Sequence, residues 1–225
     1  MTFGEDRDFS ACPDPFGAPI PTTPQEIFVN SVYSSVDEAV KRELNRLRFK
    51  DYVITTCKLG CYHCCGQYIL TNIAEAHALA QYVKREFSID QIGDLRMRTQ
   101  QWHEWNDSRP GRYPSNNIDV KTVLSDYHPY CPMLVKGACS AYPVRPVICR
   151  THFVCSDPSS CHPSNDPESI EVDPLVLKSI VTATSPFSMR IRDSIKTEGL
   201  DFCQSVMLLP HWLAIEMGWD FALSL

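Results

Sequence analysis

Four of the eleven cysteines in this 225-residue chain fall within nine positions, as Cys57-Lys-Leu-Gly-Cys61-Tyr-His-Cys64-Cys65. A second group, Cys131, Cys139, Cys149, Cys155 and Cys161, begins about 65 residues later. Thiolates at such spacing are the ligands that soft and borderline metals take. Two segments this far apart can meet at one centre, because closing a longer loop adds only modest entropy. Zinc would take four ligands in a closed tetrahedron. An iron–sulfur cluster would take thiolates from loops with turn flexibility, which Gly60 and Gly66 supply. Eight or more candidate ligands exceed one mononuclear site. Either two metals are bound, or one cluster, or some of the cysteines are structural.

His63, His152 and His162 each adjoin this cysteine-rich sequence and are candidate nitrogen ligands or hydrogen-bond donors to a ligand. Cys203, between Phe202 and Gln204, reads as a core residue on a helix. Cys12 stands alone near the N-terminus. The paired acids Asp37 and Glu38, with Lys41, Arg42 and Glu43, read as a solvated helix face.

Three stretches together carry a family pattern. The first is Cys57-x3-Cys61-x2-Cys64-Cys65, followed by Ile69-Leu70-Thr71 and Glu75-Ala76. The second runs from Cys131-Pro132-Met-Leu134 through Gly137-Ala-Cys139-Ser140-Ala-Tyr142 and Arg145-Pro146 to Cys149-Arg150. The third is Cys161, placed after Ser156-Asp157. Over about 57–161 the chain resembles the zinc- or iron-chelating cysteine-cluster family, the YkgJ-like proteins. More distantly it is similar to the flagellin lysine N-methylases, which join such a pattern to S-adenosylmethionine-dependent methyl transfer. The resemblance implies a metal site built by Cys57, Cys61, Cys64, Cys65, Cys131, Cys139, Cys149 and Cys161. Cys12 and Cys155 lie outside the pattern. The cofactor expected is an iron–sulfur cluster of the [4Fe-4S] kind, with zinc or iron ions as the alternative.

Tyr142, Arg145 and Arg150 are the candidate cofactor-binding residues. An arginine near a thiolate site offsets negative charge or holds an anionic substrate, and its structural alternative is to clamp the loop. Pro146 biases Arg145 toward an extended backbone.

Three functions compete. One is an iron or iron–sulfur centre supporting a redox or S-adenosylmethionine-dependent modification of a small-molecule or protein substrate. Another is a zinc-stabilised interaction module without catalysis. The third is radical S-adenosylmethionine chemistry, whose spacing Cys57-x3-Cys61-x2-Cys64 matches. The strand–helix alternation and glycine-rich motif expected for that third reading are missing. No phosphate-binding glycine loop or Ser–His–Asp order is present.

The elements that must position these residues read as mostly α, a single helical domain around a loop-rich, cysteine-ligated centre. After an irregular arm over 1–23, a domain over 24–225 is expected. Thr23-Pro24 offers a cap and a first-turn proline for a helix over 24–48. An extended stretch over 51–56 delivers the chain to the first cysteines. Further helices are expected over 72–87 with Thr71 as cap, over 89–107 behind a Ser88-Ile-Asp-Gln91 capping box, and over 118–126, 174–184, 187–198 and 210–222. From His128 to Pro167 prolines are dense and regular structure is hard to read, so a metal could organise this segment in place of a large core.

Apolar residues at 44% suffice for a core, and a formal charge of −6 argues against nucleic acid or an anionic membrane as partner. The N-terminal stretch lacks a secretory pattern, and no apolar run reaches the roughly 20 residues a membrane span needs. A cytoplasmic setting with reduced thiols is therefore expected.

Overall fold

The computed structural model describes residues 23–58, 60–108, 129–161 and 174–221. Residues 1–22 of the arm expected over 1–23, the loop after 108, the helix over 118–126, Cys12 and His162 lie outside them.

Helix α1 (Pro24–Arg46) starts as its sequence dictates. The Thr23 hydroxyl accepts from the Glu26 N–H at 3.1 Å, and the Glu26 carboxylate accepts from the Thr23 N–H at 3.0 Å. Val29, Val32, Tyr33, Val36 and Val40 recur at helical spacing, and all are buried. This stripe packs against α2 (Ile73–Glu86), the five-residue α4 (Val147–Thr151) and α5 (Lys178–Thr197). The last turn, Leu47–Asp51, widens to i→i+5 bonding and closes on Tyr52, whose φ of 57° is left-handed. The chain is thereby turned toward the first cysteines.

Strand β1 (Leu70–Asn72) pairs antiparallel with β4 (Val206–Leu208), Thr71 opposite Met207. Each strand feeds a helix directly, β1 into α2 and β4 into α6 (Leu209–Met217), so those helices begin side by side and pack together. Helix α3 (Ile89–Ser108) lies against α6. Its expected capping box forms, with reciprocal bonds between Ser88 and Gln91. The architecture is a mostly α domain, and among the described residues the strands are all short. Among the described residues no helix is long and apolar enough to cross a membrane.

Three expectations are corrected. The cap of α2 is Asn72, whose Oδ1 accepts from the Glu75 N–H; Thr71 is committed to β1. The two helices expected over 174–184 and 187–198 are one, α5, running through Pro186. A proline inside a helix costs about 3 kcal/mol. Here the buried stripe Ile180, Thr184, Ile191 and Ile195, with Phe187 packed beside it, continues across the break and outweighs that cost. Cys203 is exposed on a turn in which the Asp201 carboxylate accepts from the Gln204 N–H, so it is neither helical nor core.

Candidate metal centre

Backbone geometry, more than regular structure, gathers the cysteines. After Tyr52 the chain runs beside residues 154–156. The Thr56 N–H donates to the Val154 carbonyl at 3.0 Å, and the Thr55 hydroxyl donates to the same oxygen at 2.9 Å. In return the Val154 N–H points at Cys57 Sγ, 3.4 Å away. A turn bonded from Cys61 N–H to the Lys58 carbonyl, with Gly60 at φ 83°, reverses the chain. A 3₁₀ turn, His63–Gly66, then presents Cys64 and Cys65.

The second cysteine group docks on the first. The Cys131 N–H donates to the Cys65 carbonyl at 2.7 Å. Strands β2 (Leu134–Val135) and β3 (Ala138–Cys139) form a hairpin with Cys139 opposite Leu134. Its two loop residues, Lys136 and Gly137, have φ of 51° and 80°, the tight turn that matches strand twist. The hairpin loop lies on the Tyr62 ring, which a Cβ at Gly137 would meet at 3.8 Å. Tyr62 also packs edge-on against Tyr130.

Cys149 sits on α4, and a buried polar clamp fixes that helix. Glu75, 4% exposed, accepts from the Val147 N–H at 2.7 Å and from Asn72 Nδ2 at 2.6 Å. A carboxylate thus caps α4 from across the fold. Burial raises the Glu75 pKa above its ordinary value, opposed by these bonds and by the Arg150 charge. Arg150, 3% exposed, donates to the Arg145 carbonyl at 2.8 Å, to the Pro143 carbonyl and to Asp37. Its guanidinium lies 4.1 Å from the centre of the Tyr33 ring. Burial, then the Glu75 charge, hold the Tyr33 phenol well above its ordinary pKa. The Tyr33 hydroxyl and the Glu75 carboxylate lie close enough to shift one another, though the hydroxyl makes no well-aligned hydrogen bond.

Arg150 therefore has its donors engaged within the protein, tying the 143–145 loop to α1. Asp37, expected on a solvated face, is half-exposed but pairs with Arg150. Arg145 differs. Its guanidinium stacks 3.8 Å over the Tyr142 ring and donates to the Tyr142 carbonyl at 3.0 Å, and its charge favours the thiolates of Cys64, Cys139 and Cys149, in the last two against the burial that raises them. Arg98 acts in the same sense on Cys131, and Arg150 on Cys139.

All eight cysteines singled out by the sequence pattern have another of the eight as an electrostatic neighbour. Burial pushes Cys131 up to about 12 and Cys161 up to about 11, and raises Cys57, Cys139 and Cys149. The adjacent thiols Cys64 and Cys65 shift in opposite directions, the hydrogen bond between them holding Cys64 below its ordinary pKa and Cys65 above it. His152 Nε2 stands 3.6 Å from Cys161 Sγ. Cys155 turns away, donating to the Leu175 carbonyl at 3.6 Å. His63 stacks on Tyr62.

Among the described residues, no group of three or more His, Cys, Asp or Glu side chains already stands ready to hold a metal ion. The donor set nevertheless suits a thiophilic metal. Its thiols lie on short turns, a hairpin strand and a five-residue helix whose backbones are pinned by hydrogen bonds. An open cavity of about 450 Å³ lies elsewhere, lined by Gln25, His77 and Glu198 among others, and contains no cysteine.

The sequence reading missed the Glu75 clamp and the Asp37–Arg150 pair. Neither leaves a periodic signal, because each joins residues 72 or more positions apart. Comparison of the chain with protein-family models, with curated proteins and with solved structures returned no match. The family resemblance accordingly rests on the cysteine motif.

Proposed function

We propose that this chain is a cytoplasmic metalloprotein whose clustered cysteines hold an iron–sulfur cluster. The observation that carries this is the gathering of eight thiols from separate segments, Cys57–Cys65, Cys131–Cys149 and Cys161, around one region of the fold. Ten free cysteines in the described residues agree with a reducing compartment. Such a cluster supplies one-electron transfer, or, in the S-adenosylmethionine-dependent reading, reductive activation for modifying a protein or small molecule. The protein's own part is to hold the thiols and offset their charge. Arg145 sits where it neutralises the site, and Tyr142 supports it by stacking.

A second reading, a zinc-stabilised interaction module, is favoured by the imidazole of His152 beside Cys161 and by the scarcity of regular structure over 129–161. Purification without oxygen decides between them. Brown protein with iron and acid-labile sulfide supports the cluster. Colourless protein with stoichiometric zinc supports the module. Folded protein that takes up neither metal refutes both.

A further inference from the structure

Phe49, Tyr52 and Ile54 are 68%, 86% and 68% exposed, and all three lie on the widened end of α1 and the chain that leaves it. A single exposed apolar side chain is ordinary, but several large ones side by side mark a contact surface.

The backbone beneath them is also unused. Residues 153–155 are paired on one side with 175–177, through the Cys155 N–H to the Leu175 carbonyl and the Leu177 N–H to the Phe153 carbonyl. Backbone groups alternate in direction along an extended chain, so the Val154 carbonyl points the other way, and it accepts from the Thr56 N–H. The stretch from Tyr52 to Thr56 is therefore the outer rim of this ribbon. Among the described residues, the N–H groups of Ile54 and Thr55 and the carbonyls from Tyr52 to Thr55 make no hydrogen bond. An edge with unused donors and acceptors is a template for another extended chain.

Electrostatics select that chain. The protein has 27 Asp and Glu against 21 Lys and Arg, yet from Tyr52 to Ala74 there is no acid. The acids at the margins are engaged. Asp51 pairs with Arg46 at 2.8 Å, and Asp157 accepts from the Ser159 N–H at 2.8 Å and from its hydroxyl at 2.7 Å. Lys50 and Lys58 are exposed and make no ion pair among the described residues. The Arg48 guanidinium lies 5.4 Å from the centre of the Phe49 ring. Cations set beside aromatic and aliphatic side chains complement a segment that carries both carboxylates and apolar groups.

We propose that this rim is a docking edge for an extended, acidic segment of a partner protein. The segment adds as a strand along Tyr52–Thr55, with its carboxylates toward Lys50 and Lys58 and its apolar side chains on Phe49, Tyr52 and Ile54. Because the rim runs directly into Cys57, docking delivers the partner to the first cysteine loop. The proposal goes beyond the metalloprotein reading and stands whether or not the thiols hold metal.

The test is fluorescence anisotropy of a labelled peptide of alternating glutamate and valine, titrated with the full-length chain. Wild type should bind it, and added salt should weaken binding. The same peptide with alternate backbone nitrogens methylated keeps its charge but loses donors, and should bind about tenfold more weakly or worse. A lysine–valine peptide should not bind. Lys50→Glu should weaken binding several-fold, and Tyr52→Asn combined with Ile54→Thr should abolish it. Asparagine suits the left-handed backbone at position 52, and these side chains are exposed, so the circular dichroism and urea midpoint should remain those of wild type. The methylated peptide tests the backbone pairing on wild type, independently of any variant. No binding by wild type at millimolar peptide, equal binding of the methylated or lysine peptide, or unchanged binding by the variants overturns the proposal. So does sedimentation of wild type as a dimer that Tyr52→Asn converts to monomer, which would make the rim a contact between copies of the chain. None of these readings depends on metal content, so their failure leaves the metalloprotein reading standing.

Discussion

Replacing Glu75 by alanine removes two hydrogen bonds at once. The Val147 N–H at 2.7 Å and Asn72 Nδ2 at 2.6 Å lose their acceptor in a buried site. Hydrogen bonds to a charged group contribute about 1.5–3 kcal/mol each. Relief of a buried carboxylate offsets part of the loss, leaving a net destabilisation of roughly 3 kcal/mol. Glu75→Gln retains an acceptor for Val147. Its amide nitrogen would face Asn72 Nδ2, which cannot turn over without surrendering the Asn72 Oδ1 bond that caps α2. That variant should lose about half as much. With an m-value of about 3 kcal/mol/M, the urea midpoint should drop by about 1 M for alanine and about 0.5 M for glutamine. Urea unfolding followed by circular dichroism measures this, and hydrogen exchange at the Val147 amide should lose protection in the alanine variant. An alanine variant as stable as wild type, or a glutamine variant as damaged as the alanine one, would show that Glu75 does not clamp α4.

The same carboxylate gives a pH signature. Burial raises its pKa above the ordinary 4.5, so the folded chain binds that proton more tightly than the unfolded chain. The resulting stabilisation is full below about 4.5 and is lost as pH rises through the folded value, so the advantage of wild type over Glu75→Gln should shrink from pH 4.5 to pH 7 in parallel urea titrations. Arg150→Lys keeps the charge but not the fork that reaches the Arg145 and Pro143 carbonyls. It should cost about 2 kcal/mol by the same assay, whereas Asp37→Asn, at the half-exposed end of that pair, should cost under about 1 kcal/mol. Cys155→Ser and Cys203→Ser should leave metal content unchanged, and Cys131→Ser should reduce it, as elemental analysis of purified protein will read.

Helices α1 and α3 were legible because capping chemistry is local. Thr23 with Glu26, and Ser88 with Gln91, lie three residues apart and meet whatever the rest of the chain does. The cysteine pattern was legible for the same reason, since short spacing forces neighbouring thiols together. The continuity of α5 was not, because Pro186 argues locally for a break and only burial of the stripe from Ile180 to Ile195 overrules it. The cap of α2 moved from Thr71 to Asn72 because pairing with Met207, distant in sequence, claimed Thr71 for a strand.

The sequence by itself determined which thiols are available and that the frame is helical. The tertiary structure decided which segments those thiols are brought beside. The pairing of 55–56 with 154 brings Cys57 toward His152 and Cys161, and the bond from Cys131 to Cys65 draws the other thiols together. The acid that caps α4 and the arginine that pins its loop are likewise products of packing. Contacts between residues 72 and 113 positions apart depend on the whole chain closing, and no local spacing encodes them.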